Sequence, residues 1–434
     1  MSRQCLLVIG LLSIIGGSAC SKKNPENSHL TIDSAHAFAV DATITQGMIH
    51  TTSKASVTME KQIRAQLLYL IGQLNGVQGG PQLNELQIKI NEAVAVESGG
   101  YDVRYEAHLV LAWPQGKTLP ESYEIILPAK ADRASLSNFL ESLKEDCVRS
   151  TDHDLTTGNF WYYYRPKTRA CATRLAESAM ASLVVNVPMT MTVSDANTSG
   201  KAPEYDKIWE DNRLVVTAVF GKYEANATEN ADPGIAAFNE MYALLRRTWG
   251  EPSSQNVEIP PDSQPGSAQP SLHMIFKTTE GDIDIDLLLV DSIASVDEAF
   301  MQRYSERTQI SDFVSYNGHS GLGSNIRALA RMGSFTADQY QIFFINGCDT
   351  FAYVDNALWE AHAAVNPDAA PTKFLDMITN AMPSYFHSNA DNNGVMIRSL
   401  LERQKTYRDI LADFDRSQRA LVIGEEDNAW PQSF

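Results

Sequence analysis

Two residues in this sequence carry side chains able to run acyl-transfer chemistry together: His319 and Cys348, 29 positions apart. A thiolate is a strong nucleophile, an imidazole can take the thiol proton and hand it to a leaving group, and backbone N–H groups can receive the charge developing on a carbonyl oxygen. Both residues sit just past an apolar run. Phe313 to Tyr316 is broken by Asn317-Gly318 before His319, and Gln341 to Ile345 is broken by Asn346-Gly347 before Cys348. Gly318, Ser320, Gly321 and Gly347 flank the pair and form the candidate oxyanion loops.

The elements that must position this pair read as strand, turn, helix, strand. Gly321 and Gly323 open a loop into a helical run, Asn325 to Met332, which Gly333 stops. Apolar runs without alternation suit strands covered on both faces, as in a parallel sheet with a crossover helix. Parallel strands end on one edge, so His319 and Cys348 are expected side by side where open α/β sheets bind ligands. Strand alternation turns Asp349 away from the thiol, toward a specificity pocket.

Around that stretch the chain divides in two. Residues 30–193 are expected to form an α+β domain, 194–206 (a polar stretch with Gly and Pro) a linker, and 207–434 an α/β domain with a largely parallel sheet and helices on both faces. The first domain offers an amphipathic helix, Ser56 to Asn75, and a hairpin of Leu86 to Val96 with Tyr101 to Trp113 around Gly99-Gly100. Phe160 to Tyr164 (FWYYY) is expected as an aromatic strand, and Pro188 marks an edge or bulge in Met180 to Val193. His153 falls in a polar turn. In the second domain Glu251 to Ser271 is expected as a long mobile loop, Thr372 to Asn380 as a helix, and Ala420 to Gly424 as the last strand.

The net charge is −18, spread without long runs, which disfavours nucleic acid as a partner because phosphate neutralisation needs a basic face. Residues 1–19 read as a signal peptide: Arg3, an apolar Leu6 to Ile15 too short to span a bilayer, then small residues. Gly17-Ser18-Ala19-Cys20 resembles the bacterial lipoprotein lipobox, with Gly17 where that pattern usually has leucine. The resemblance implies a lipidated Cys20, a tether over 20–29, export to the cell envelope with Ser21 suiting outer-membrane retention, and membrane contact through the anchor alone. An ordinary cleaved signal peptide is the alternative. Cys147 and Cys171 lie 24 apart, as a disulfide of an oxidising compartment or as two reduced thiols, leaving Cys348 without a partner.

The strands ending in His319 and Cys348 carry a further likeness. Phe313-Val314-Ser315-Tyr316-Asn317-Gly318-His319 and Ile342-Phe343-Phe344-Ile345-Asn346-Gly347-Cys348 resemble the two motifs of the clan CD cysteine peptidases, the group of caspases, legumains and gingipains. Ser320 stands where that group has glycine after the histidine. The resemblance implies a caspase-like sheet, Cys348 as nucleophile, His319 as general acid/base, peptide or protein substrates and no cofactor. Two alternatives stand beside it. Gly318-His319-Ser320-Gly321-Leu322 is close to a serine nucleophile elbow, with Asp427 as the acid, although no histidine follows Asp427. The other is a non-enzymatic binding or scaffold lipoprotein in which His319 caps a strand and Cys348 is an inert thiol.

Overall fold

The structure is a computed structural model, and it describes residues 31–97, 99–149, 155–260, 263–367 and 372–424. The signal peptide, Cys20 and its tether, His153 and Asp427 lie outside the described residues. The described chain is mixed α/β: a large mixed sheet and a smaller, curled antiparallel sheet packed together.

Six strands form the heart of the large sheet: β1 (Arg213–Gly221), β2 (Asp282–Val290), β3 (Phe313–Asn317), β4 (Gln341–Asn346), β5 (Leu375–Asn380) and β6 (Ala420–Ile423). Their order is β2-β1-β3-β4-β5-β6, parallel except for β6. Helices cover both faces, which is why β3 and β4 are largely apolar and buried at every position. Phe313, Ile342 and Phe344 face one core beneath the Pro233–Trp249 and Asn389–Glu402 helices. Val314, Phe343 and Ile345 face another beneath Ser324–Met332 and Ala357–Val365. The strand order reverses between β1 and β3, so the loops leaving these neighbours run apart and open a crevice at their C-terminal ends.

The smaller sheet is built on two long strands, Ala37–Thr51 and Tyr101–Pro114, and all its pairings are antiparallel. Irregularities between Ile44 and Gly47 and between Ile90 and Glu92 curl it. Gly47 is needed at the first, because a Cβ there would lie 2.3 Å from the Tyr105 ring. Helices Ser56–Leu67 and Tyr69–Asn75 close its inner face as two pieces of the one expected amphipathic run. Pro188 pairs with Glu124 but lies just outside the segment bonded to Ala37–Thr51, where its missing N–H costs no ladder bond. Ile32–Asp33 crosses over to extend the large sheet beside β6.

Three expectations change. FWYYY is a helical turn, Phe160–Tyr163: Phe160 and Tyr164 are fully buried against Tyr69 and Phe139, at ring separations from 5.4 to 6.3 Å, and hold the turn from both ends. Thr372 to Asn380 is not a helix but leads into strand β5, whose short apolar run reads either way by periodicity and is decided by pairing with β4. The Glu251 to Ser271 stretch contains a two-residue strand, Ser254–Gln255, and a turn of 3-10 helix, Gly266–Ala268.

Candidate active site

Strands β3 and β4 pair in parallel through to Asn317 opposite Asn346, and the two chains stay in contact beyond that point. The Gly318 N–H donates to the Asn346 carbonyl at 3.2 Å. A Cβ on Gly347 would come 2.9 Å from the Gly318 carbonyl oxygen, so glycine is required for this close approach. One residue further along each chain stand His319 and Cys348, and both line a single cavity of about 620 Å³.

Two backbone carbonyls from neighbouring loops orient the pair. His319 Nε2 lies 3.0 Å from the Tyr223 carbonyl, in the loop after β1. A carbonyl only accepts, so Nε2 carries hydrogen and the neutral ring offers its lone pair at Nδ1. The Tyr223 and Phe386 rings pack on the imidazole at 5.5 and 5.6 Å while it stays open to solvent. The Cys348 thiol donates to the Ser384 carbonyl at 3.6 Å, in the loop after β5, and is also hydrogen bonded to the Tyr162 side chain. Among the described residues no hydrogen bond joins His319 to Cys348.

Burial pushes the Cys348 thiol pKa up, and the neighbouring Asp349 carboxylate adds to the rise. Asp349 is itself raised to about 7, chiefly by burial. Asp349 does not reach a specificity pocket. It adopts a left-handed conformation (φ 50°) and turns into the contact between the two layers, accepting from Asn75 Nδ2 at 3.4 Å and bonding to Tyr162.

The candidate oxyanion loops divide. The N–H groups of Gly318 and Gly347 are already bonded, to the carbonyls of Asn346 and Ile345. The amides of Ser320, Gly321 and Cys348 make no such bond among the described residues and remain as donors. Ser320 is buried and its hydroxyl has no imidazole partner among the described residues, since the His319 ring is turned to Tyr223.

Two contributions escaped the sequence. The first is the wall from the smaller layer: Trp161, Tyr162 and Tyr163 line the same cavity as Cys348. Cys147 and Cys171, paired at disulfide distance, close the loop that carries this turn, and the Arg165 N–H donates to the Cys147 carbonyl at 2.8 Å. The second is a buried asparagine network under the reactive loops. Asn346 Nδ2 donates to Asn317 and Asn389, while its Oδ1 accepts from Asn380 and Ser384. A readable signal existed: β3, β4 and β5 each end in asparagine.

One group of side chains elsewhere has ligand-like spacing, His273 with Asp284 and Asp286. Arginines occupy its carboxylates: Arg307 bonds Asp284 at 2.8 Å and Arg303 bonds Asp286, so the cluster is an ion-pair network. No helix among the described residues is long and apolar enough to cross a membrane. No known protein-family model matches the chain, and no curated protein matches it significantly.

Proposed function

We propose that this chain hydrolyses peptide bonds through Cys348 and His319. The observation that carries the reading is the shared cavity at the ends of two adjacent parallel strands, with the imidazole held by Tyr223 so that Nδ1 is left as base. Nδ1 takes the thiol proton as sulfur attacks the carbonyl carbon. The proton passes to the departing amine as the C–N bond breaks, leaving a thioester. Water then attacks that thioester, giving its proton to His319, and the sulfur is reprotonated as the acid leaves. Because burial favours the neutral thiol, the proton moves in step with attack instead of being lost beforehand.

The strand order β2-β1-β3-β4-β5 with an antiparallel β6 supports a caspase-like arrangement for the larger layer. Export and anchoring through Cys20, with peptides or proteins as partners, belong to the same proposal, and the cysteine pair in the smaller layer is consistent with an oxidising compartment. A second reading, a binding lipoprotein without chemistry, is favoured by one observation: the thiol bonds to the Ser384 carbonyl and not to the imidazole.

The test is labelling of the full chain with a peptidyl thiol-reactive electrophile. Labelling is expected in the wild type, lost in Cys348→Ala and at least tenfold slower in His319→Ala, while a fluorophosphonate leaves Ser320 untouched. Labelling that ignores His319→Ala would leave the binding reading in place.

A further inference from the structure

The cavity that holds the reactive pair also carries information about what enters it. Its described lining is aromatic from both layers: Trp161 and Tyr162 on one side, Tyr223, Tyr385 and Phe386 on the other, with Leu322 at the mouth. Among the described lining residues there is no Asp, Glu, Lys or Arg. The basic side chains in that described lining are His319 and His387, the second largely solvated and 4.0 Å from Asp415. Asp349, the nearest acid in sequence to Cys348, is buried behind the wall against Asn75 and Tyr162.

A charged side chain entering this space would give up water without meeting a carboxylate, lysine or arginine among the described lining residues, which is unfavourable. An aromatic or large aliphatic side chain would instead bury of order 150–250 Å² against rings. During the proposed reaction the acyl half of the substrate stays bonded to Cys348 through both steps, whereas the amine half departs after the first. The side chain occupying the cavity is therefore that of the acyl residue.

We infer that the residue before the cut bond is bulky and uncharged, aromatic first, and that the smaller layer helps select it through Trp161 and Tyr162. This inference rests on the thiol-hydrolase reading and sharpens it.

The experiment is a series of fluorogenic peptides on the full chain, identical except for the residue before the leaving group: Phe, Leu, Asn, Asp, Arg and Lys. Phe or Leu is expected to exceed Asp, Arg and Lys in kcat/KM by about a hundredfold. Leu322→Asp tests the cavity directly. Its backbone is left-handed (φ 54°), a conformation aspartate tolerates, and half its surface is exposed, so the substitution is compatible with folding. The variant is expected to lower the Phe-to-Arg ratio roughly tenfold, a ratio within one protein that does not depend on the amount folded. Preference for Asp, Arg or Lys with Cys348-dependent turnover would overturn the inference and leave the thiol hydrolase standing. An unchanged ratio in Leu322→Asp also overturns it. Absence of both turnover and electrophile labelling overturns the two together.

Discussion

Asn346 and Asn317 lie directly opposite each other at the ends of β4 and β3, and the Nδ2 of the first donates to the Oδ1 of the second at 3.0 Å. Each stands two positions before a reactive residue, so this bond fixes the relative height of the Cys348 and His319 loops. Asn346→Ala would remove a donor from Asn317 and Asn389 and an acceptor from Asn380 and Ser384, all buried or partly buried. A loss of roughly 3 kcal/mol is expected in urea unfolding, since each stranded polar group costs about 1 kcal/mol or more. A loss below about 1 kcal/mol would mean the network is dispensable.

Asp349 gives the thiol a pH-dependent neighbour. Its carboxyl is raised to about 7, so below that pH it is mostly neutral and above it a charge opposes thiolate formation. Asp349→Asn is expected to speed iodoacetamide alkylation of Cys348 above pH 7 and to change it little below pH 6. Stability should follow the same group. An acid whose folded pKa lies above its unfolded 3.8 stabilises the fold fully at low pH, and that contribution fades as pH rises through about 7. The Asn variant should lack this decline, worth up to roughly 4 kcal/mol, in denaturation curves taken between pH 4 and 8.

Reduction of the Cys147–Cys171 pair removes a constraint on the loop holding Tyr162 against the thiol. Cys171→Ser is expected to lower stability by about 2–4 kcal/mol and to increase the rate at which Cys348 meets bulky maleimides. A stability change without a change in maleimide rate would show that Phe160 and Tyr164 hold the turn unaided.

His362 is buried against Phe335 at a ring separation of 4.5 Å, neither ring nitrogen has a hydrogen-bond partner among the described residues, and burial lowers its pKa to about 4. A histidine kept neutral in this way contributes stability above its unfolded pKa of 6.5, and the contribution is lost as pH falls through about 4. His362→Leu is expected to flatten the acid limb of the stability profile between pH 6.5 and 4 by roughly 3 kcal/mol. His36, lowered to about 4 mainly by burial, retains its own share of that slope.

Local pattern carried the parts of the site that local pattern can encode. The apolar runs before Asn317 and Asn346 have no alternation because both faces of β3 and β4 are covered, and their parallel pairing follows from the helix between them. Glycine at 347 was legible as a break and proves to be a steric necessity. What escaped are relationships across long separations. Tyr223 reaches His319 from 96 positions away, and Ser384 reaches Cys348 from 36, both by main-chain atoms whose residue identity is irrelevant. The Phe160–Tyr163 turn is not legible locally because five aromatic residues in a row have no period. Burial of the two end residues, supplied by helices elsewhere in the layer, decides their conformation.

Since the acceptors at His319 Nε2 and at the Cys348 thiol are peptide oxygens, replacing Tyr223 or Ser384 by alanine would leave those two bonds chemically intact. Alanine scanning would report the ring contacts of Tyr223 and Phe386 but pass over these two bonds, whereas shortening either loop by one residue would retune the pair. The orientation of the reactive centre is thus inherited through loop length.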